Sequence, residues 1–119
     1  MQTPKYLRIL IVEDSEPFSR LLKIAFTKAG HDVTLETSVE SALFALTREA
    51  YDALVCDLLL PDGNGCEIIQ AARQKEMPMF SVAISGLLPA ACEVKALAAG
   101  FDRFICKPFE LSVLVGLFA

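Results

Sequence analysis

The chain has 119 residues, of which 54% are hydrophobic and 22% are charged, and this composition favours one packed domain over a disordered chain. Its net charge of −4 excludes the cationic surface on which nucleic-acid affinity depends, so we expect no nucleic-acid binding by this domain. Mean hydropathy is high at +0.47, but no apolar run approaches the ~20 residues that a membrane-spanning helix needs. Residues 1–5 lack the apolar core of a signal peptide, and we therefore expect a cytoplasmic domain without membrane contact.

Apolar runs and turn residues alternate along the chain and predict five strands, each followed by a helix. The strands are rich in branched aliphatic residues, and the helices carry apolar residues at helical spacing. Ser15 and Ser38 are the predicted N-caps of the first two helices, and Gly30 ends the first helix. The predicted strands are Leu7–Val12, Asp32–Thr37, Ala53–Asp57, Phe80–Ser85 and Arg103–Cys106, and the predicted helices are 16–29, one after Ser38, 66–74, 90–99 and 110–118.

This alternation predicts a parallel five-stranded sheet with right-handed crossovers and helices on both faces. The second strand is less apolar than the others, so we expect it near an edge of the sheet. The sequence shows no internal repeat and no linker, and residues 1–119 are interpreted as a single domain. The segment Leu111–Ala119 carries no charge, and we expect that the domain was cut from a longer protein.

The four cysteines are scattered, and no Cys-x-x-Cys pair occurs among Cys56, Cys66, Cys92 and Cys106. His31 is the only histidine. A zinc site or a redox pair is therefore poorly supported, and we expect small thiols that are buried or half-buried.

Polar side chains stand where four of the predicted strands end: Glu13 and Asp14 after the first, Asp57 in the third, Ser85 in the fourth and Lys107 after the fifth. Because the carboxyl ends of parallel strands meet at one edge of a sheet, we expect these groups to lie together. Carboxylates that share a pocket need either shared protons or a hard divalent cation such as Mg²⁺. A lysine and a hydroxyl opposite such a cation would form a cradle for a phosphoryl group, with an aspartate as the nucleophile.

Each motif alone also has a simpler structural explanation. An acid pair after a strand is often only favourable charge at a helix N-terminus. Asp57 before a Pro-Asp-Gly turn is also explained by loop solvation, and Lys107-Pro108 by an ordinary turn. The combination of four strand ends in an order that the fold can assemble favours the functional interpretation.

Four motifs carry a resemblance to a known family: Ile11-Val12-Glu13-Asp14, Asp57-Leu58-Leu59-Leu60-Pro61-Asp62-Gly63-Asn64-Gly65, Ser85-Gly86 and Lys107-Pro108-Phe109. In this order and spacing the chain resembles a receiver domain of the two-component response-regulator family over essentially its whole length. The resemblance implies a flavodoxin-like, doubly wound (βα)5 fold.

The resemblance also implies roles for matching positions. Asp57 would be the phosphoacceptor, taking its phosphoryl group from a sensor histidine kinase or a phosphotransfer domain. Lys107 and Ser85 would contact the phosphoryl oxygens, and the bond between Lys107 and Pro108 would be cis.

The implied metal is Mg²⁺. Asp14 and Asp57 would bind it directly, together with the backbone carbonyl of Leu59. Glu13 would act mostly through water.

The resemblance further implies a switch, in which Ser85 moves toward the phosphoryl group and Phe104 turns inward behind it. Partners, including a second copy of the chain, would read the face formed by the fourth helix, the fifth strand and the fifth helix. Arg103 stands where DNA-binding members usually carry an acid, which argues against their salt-bridged dimer. Ser85-Gly86 together with Ala99-Gly100-Phe101-Asp102 looks most like receivers of hybrid sensor histidine kinases.

Several alternatives stay open. The domain could belong to a stand-alone or effector-linked response regulator, or be a pseudo-receiver that binds partners without phosphorylation. A flavin carrier of the same architecture would need a phosphate loop where Glu13-Asp14 stands. An aspartate-nucleophile phosphatase would need a second acid at Leu59, so only self-dephosphorylation is expected. Leu59 and Leu87 are expected to shield the acyl phosphate from water.

Overall fold

The computed structural model describes residues 6–86 and 89–119. The strands are β1 (Arg8–Val12), β2 (Asp32–Glu36), β3 (Ala53–Asp57), β4 (Leu59–Leu60), β5 (Gly63–Asn64), β6 (Phe80–Ser85) and β7 (Arg103–Cys106). The helices are α1 (Phe18–Lys28), α2 (Val39–Arg48), α3 (Cys66–Gln74), α4 (Pro89–Ala99) and α5 (Leu111–Gly116). Within the described ranges, none of these helices has the length and apolar character needed to cross a bilayer.

The main sheet is parallel and has the strand order β2-β1-β3-β6-β7, which confirms the predicted doubly wound α/β fold. The second predicted strand lies at one edge of this sheet, as expected from its weaker apolar character. β3 lies at the centre, and all five of its residues are buried. Its register places Val55 beside Ile11 on one side and beside Val82 on the other.

Helices cover both faces of the sheet because the strands alternate their buried side chains between two apolar layers. Ile9 and Ile11 of β1 contribute to the layer under α1 and α5, whereas Leu10 and Val12 contribute to the layer under α2, α3 and α4. The uncharged C-terminal segment joins the first layer, where the Phe118 ring packs edge-on against Phe26 with centroids 5.1 Å apart.

The start of α1 differs from the prediction. Ser15 is not its N-cap, because the helix begins at Phe18 and Pro17 occupies the cap position without a side-chain hydrogen bond. The Ser15 amide instead donates to Oε2 of Glu13 at 3.1 Å, and its carbonyl accepts from the Ser19 amide at 2.8 Å. These bonds hold residue 15 in the loop that follows β1, outside the helix.

The turn after β3 also contains more structure than the sequence predicts. Leu59–Leu60 and Gly63–Asn64 form a small antiparallel pair, β4 and β5, in place of an irregular turn. The turn that connects β4 to β5 contains Asp62. The two carboxylate oxygens of Asp62 accept hydrogen bonds from the backbone amides of Val39 (2.8 Å) and Glu40 (3.0 Å). The Asp62 side chain thus supports the N-terminus of α2 from a distant part of the chain.

α2 is therefore capped twice. Ser38 is the N-cap, as predicted, and its side chain accepts from the Ser41 amide. Asp62 satisfies two further amides in the first turn, and its hydrogen bonds from Glu40 and Val39 lower the pKa of the Asp62 carboxyl below its ordinary value.

We expect Asp62→Asn to be less stable to urea than the unsubstituted protein at pH 7, with a difference that shrinks in acid. A carboxyl whose pKa is lower in the folded state stabilises the fold above its unfolded-state pKa of about 3.9, and this stabilisation is lost as pH falls through the lower folded-state value. Urea unfolding from pH 7 down to pH 3 measures the difference. Asp32→Asn, at an exposed site on β2, is the matched control, and a pH-independent difference at Asp62 would contradict the capping role.

Candidate functional site

The carboxyl ends of the sheet bring the predicted polar side chains together. Lys107, which follows β7, donates from Nζ to Oδ2 of Asp57 at 2.8 Å and to Oε1 of Glu13 at 3.0 Å. Asp57 ends β3, and Glu13 follows β1, so a single ammonium group joins the ends of three strands. The other carboxylate oxygen of Asp57, Oδ1, accepts a hydrogen bond of 3.0 Å from the backbone amide of Leu59.

Burial makes this ion triad electrostatically strong. Glu13 is 0% exposed and Asp57 is 5% exposed, so neither carboxylate is well solvated. Burial raises the pKa of Glu13, an effect that the hydrogen bond from Lys107 offsets only in part. Burial alone would lower the pKa of Lys107, but its hydrogen bonds to Asp57 and Glu13 outweigh that effect and raise it.

Asp14 completes an acidic cluster beside this triad. Glu13, Asp14 and Asp57 each place a carboxylate oxygen within 4.8 Å of the other two, and Asp14 alone of the three is exposed. Hard cations such as Mg²⁺ prefer oxygen donors of this kind and keep several waters. The donor set therefore fits the predicted cation.

The cluster opens into a cavity of about 420 Å³ at the carboxyl edge of the sheet. Ser85, which ends β6, is buried and lies in the cavity wall. Leu59 also lines the cavity, and this residue is 64% exposed. The full lining consists of Asp14, Ser15, Asp57, Leu59, Leu60, Pro61, Ser85, Gly86 and Lys107.

The peptide bond between Lys107 and Pro108 is cis. Phe104 lies on β7, where it is half-buried and packs against the apolar layer under α3 and α4. Leu87 lies outside the described residues. The four cysteines are free; Cys56 is buried and the others are half-buried, which is the burial that the sequence predicted.

Sequence reasoning missed two neighbours of the ion triad. The Phe18 ring lies under Nζ of Lys107, which is 5.0 Å from the ring centroid. Gly65, the last residue of the motif that begins at Asp57, packs directly against β3. A Cβ there would overlap the carbonyl oxygen of Asp57 and come within 2.7 Å of Sγ of Cys56. Neither contact leaves a pattern in the sequence, since each depends on how distant segments pack.

The fold and the site define a flavodoxin-like α/β domain with an acidic, lysine-bridged cavity at the carboxyl edge of its sheet. Residues 9–119 match the family model of the response regulator receiver domain. The chain belongs to this family of two-component signalling domains, as its motifs predicted.

Relatives agree with this assignment. The chain is 36% identical over 108 residues to the transcriptional regulatory protein QseB of Haemophilus influenzae, a match that covers 89% of this chain and 48% of that protein. It is 32% identical over 114 residues to a chemotaxis protein CheY homolog of Campylobacter jejuni, covering 91% of this chain and 86% of that protein. The chain thus spans about half the length of the first relative and most of the second.

A solved structure shows the same fold at a comparable level of identity. The receiver domain of the TMAO respiratory system response regulator TorR superimposes with a TM-score of 0.85 at 27% identity, covering 93% of this chain and 92% of that one. These relatives are named as regulators and a chemotaxis protein, and they give no support to the predicted origin in a hybrid sensor kinase.

We expect Gly65→Ala to lower the free energy of unfolding by about 1–3 kcal/mol, the usual cost of overpacking, because its Cβ would displace the backbone that carries Asp57. Gly116→Ala is the matched control, since nothing lies within 4 Å of a Cβ at that position. Its effect should stay within about 0.5 kcal/mol. Urea unfolding of both variants measures the contrast, and equal stabilities would show that the close approach at Gly65 relaxes without cost.

Proposed function

We propose that this domain accepts a phosphoryl group on Asp57 from a phosphohistidine of a sensor histidine kinase or phosphotransfer protein, in a reaction that requires Mg²⁺. The observation that carries this proposal is the position of Asp57 in the wall of an acidic cavity, with Nζ of Lys107 2.8 Å from its carboxylate. Membership of the receiver family supports the class of reaction. The free cysteines accord with a reducing compartment, and we place the exchange in the cytoplasm.

The reaction is a transfer between two nucleophiles. A carboxylate oxygen of Asp57 forms a bond to phosphorus, the P–N bond of the donor breaks, and its electron pair stays on the imidazole nitrogen. Because charge develops on the phosphoryl oxygens, fixed positive charge beside them lowers the barrier. Lys107 supplies that charge, and Ser85 in the cavity wall is assigned a hydrogen bond to a phosphoryl oxygen.

The cation is assigned to the acidic cluster. Asp14, Asp57 and the carbonyl of Leu59 would hold it directly, and Glu13 through water, since Glu13 is already bonded to Lys107 and to the Ser15 amide. When bound, it would neutralise further charge on the phosphoryl oxygens. The exposure of Asp14 gives the cation a path from solvent.

The proposed output is a change at the face formed by α4, β7 and α5. Ser85 and Phe104 are the assigned switch residues, and a rearrangement at the end of β6 would alter the packing of Phe104 against the layer under α4. Val94 on α4 and Val113 on α5 are exposed apolar side chains that a partner or a second copy of the chain would cover.

The relatives favour a response regulator, either stand-alone or linked to an effector, over a hybrid kinase as the parent of this domain. Ser85-Gly86 resembles the corresponding motif of hybrid-kinase receivers, but this is a similarity of sequence only and has no physical basis in the site. The coding sequence on both sides of this chain separates the two cases, because a kinase core upstream would restore the hybrid-kinase origin.

Incubation of the protein with Mg²⁺ and acetyl phosphate should add one phosphate-sized increment to its intact mass. In this reaction the donor is acetyl phosphate, so the bond that breaks is the P–O bond to acetate and not the P–N bond of a phosphohistidine. Asp57→Asn is the control and should gain none, because its amide is a poor nucleophile. Removal of Mg²⁺ by a chelator should slow the gain by at least about tenfold. If the unsubstituted protein gains no phosphate and also fails to bind Mg²⁺ by titration, the pseudo-receiver alternative replaces this proposal.

We expect Leu59→Asn and Leu59→Glu to change the decay rate of the phosphorylated form, because Leu59 lines the cavity and its side chain limits the approach of water. Decay is followed by intact mass after removal of the donor. Leu21→Asn, an exposed leucine on α1, is the matched control. Equal decay rates in all variants would refute the shielding role.

A further inference from the structure

Phe18 makes a contact with Lys107 that the proposed chemistry leaves unexplained. Nζ of Lys107 lies 5.0 Å from the centroid of the Phe18 ring, within the ~6 Å over which a cation is attracted to an aromatic face. The same ammonium donates to Asp57 at 2.8 Å and to Glu13 at 3.0 Å. The ring is therefore an additional electron-rich neighbour of a group that already bridges two carboxylates.

The surroundings hold the Phe18 ring in place. Phe18 is the first residue of α1 and is half-buried, and its ring packs edge-on against Phe109 with centroids 5.9 Å apart and planes at 73°. Phe18 and Phe109 also line a second cavity of about 320 Å³ together with Ser15, Lys107 and Pro108. Ser15 and Lys107 border this cavity and the acidic one alike, so the aromatic pair flanks the lysine beside the reacting groups.

We propose that Phe18 is a positioning residue for Lys107, whose ring face holds the ammonium in the place where it meets Asp57 and an incoming phosphoryl oxygen. A lysine side chain is flexible, and restricting it costs conformational entropy at the moment of reaction unless the protein has already restricted it. The hydrogen bonds to Asp57 and Glu13 already restrict the ammonium, and the contact with the ring restricts it further. The ring adds a directional contact that an aliphatic side chain of similar volume does not supply.

A test must separate the ring's electrostatic contact from ordinary packing. Phe18→Leu keeps an apolar side chain and removes the aromatic face, whereas Phe18→Tyr keeps the face. Phe18→Met replaces the leucine variant if that variant does not fold. Phe44→Leu is the matched control, because the exposed Phe44 ring on α2 makes a similar contact with Arg48, 5.5 Å from the ring centroid, and lines neither of the two cavities.

The first measurement is the NMR shift of the Lys107 ε-methylene protons, assigned by their loss in Lys107→Arg. The ring current should shift them upfield in the unsubstituted protein and in Phe18→Tyr, and the shift should disappear in Phe18→Leu. The second measurement is the rate of phosphorylation by acetyl phosphate at saturating Mg²⁺. We expect Phe18→Leu to be roughly three- to tenfold slower, and Phe18→Tyr and Phe44→Leu to stay within about twofold.

Two results would overturn the proposal. One is an unchanged Lys107 shift and rate in Phe18→Leu, and the other is a tyrosine variant as slow as the leucine variant, which would assign the effect to packing. The rate effect rests on the proposed function, whereas the NMR shift does not. If the unsubstituted protein is not phosphorylated, the proposed function fails, and the shift then decides only whether the Phe18 ring lies against Lys107; an absent upfield shift in the unsubstituted protein would overturn the contact and the proposal with it.

Discussion

The ammonium group of Lys107 is the one charge on which the carboxyl edge of the sheet depends. Glu13 is 0% exposed and Asp57 is 5% exposed, and two carboxylates in so little water repel each other and lose hydration. Lys107 donates to both, so each buried negative charge has a partner. Removal of one member of such a buried set leaves an uncompensated charge, which costs several kcal/mol. The groups assigned to chemistry therefore also hold the ends of β1, β3 and β7 together.

The sheet topology explains why a lysine makes this connection. β6 lies between β3 and β7, so a side chain that starts at the end of β7 must cross two interstrand spacings, about 10 Å, to reach the end of β3. The long lysine stem spans part of this distance, and the Asp57 side chain together with the 2.8 Å hydrogen bond between the two groups spans the rest. The contacts of Lys107 join residues 94 and 50 positions apart in sequence, and only the parallel register brings them within hydrogen-bond distance.

The sequence predicts the position of Glu13, Asp57, Ser85 and Lys107 well because each stands at or directly after the end of a strand, and strand ends follow from apolar runs. Glu13, Asp57, Ser85 and Lys107 lie together as expected from that rule alone. Loop residues were less predictable. The polar pattern at Ser15 indicated a helix cap, but its amide is bonded to Glu13. The contacts of Asp62 with α2 and of Phe18 with Lys107 arise from loop paths, which local periodicity does not encode.

The same geometry gives the proposed switch a physical route. A phosphoryl group would convert the singly charged carboxylate of Asp57 into an acyl phosphate with a charge of about −1.5 to −2, at a place where one ammonium already bonds two carboxylates, so Lys107 would redistribute its hydrogen bonds. Its backbone amide donates to the Ser85 carbonyl at 2.8 Å, and the ends of β6 and β7 are therefore linked. Phe104 stands three residues before Lys107 on β7 and packs toward α4. In the proposed switch, a change in charge at the cavity would thus reach the α4 surface through one strand and one backbone hydrogen bond.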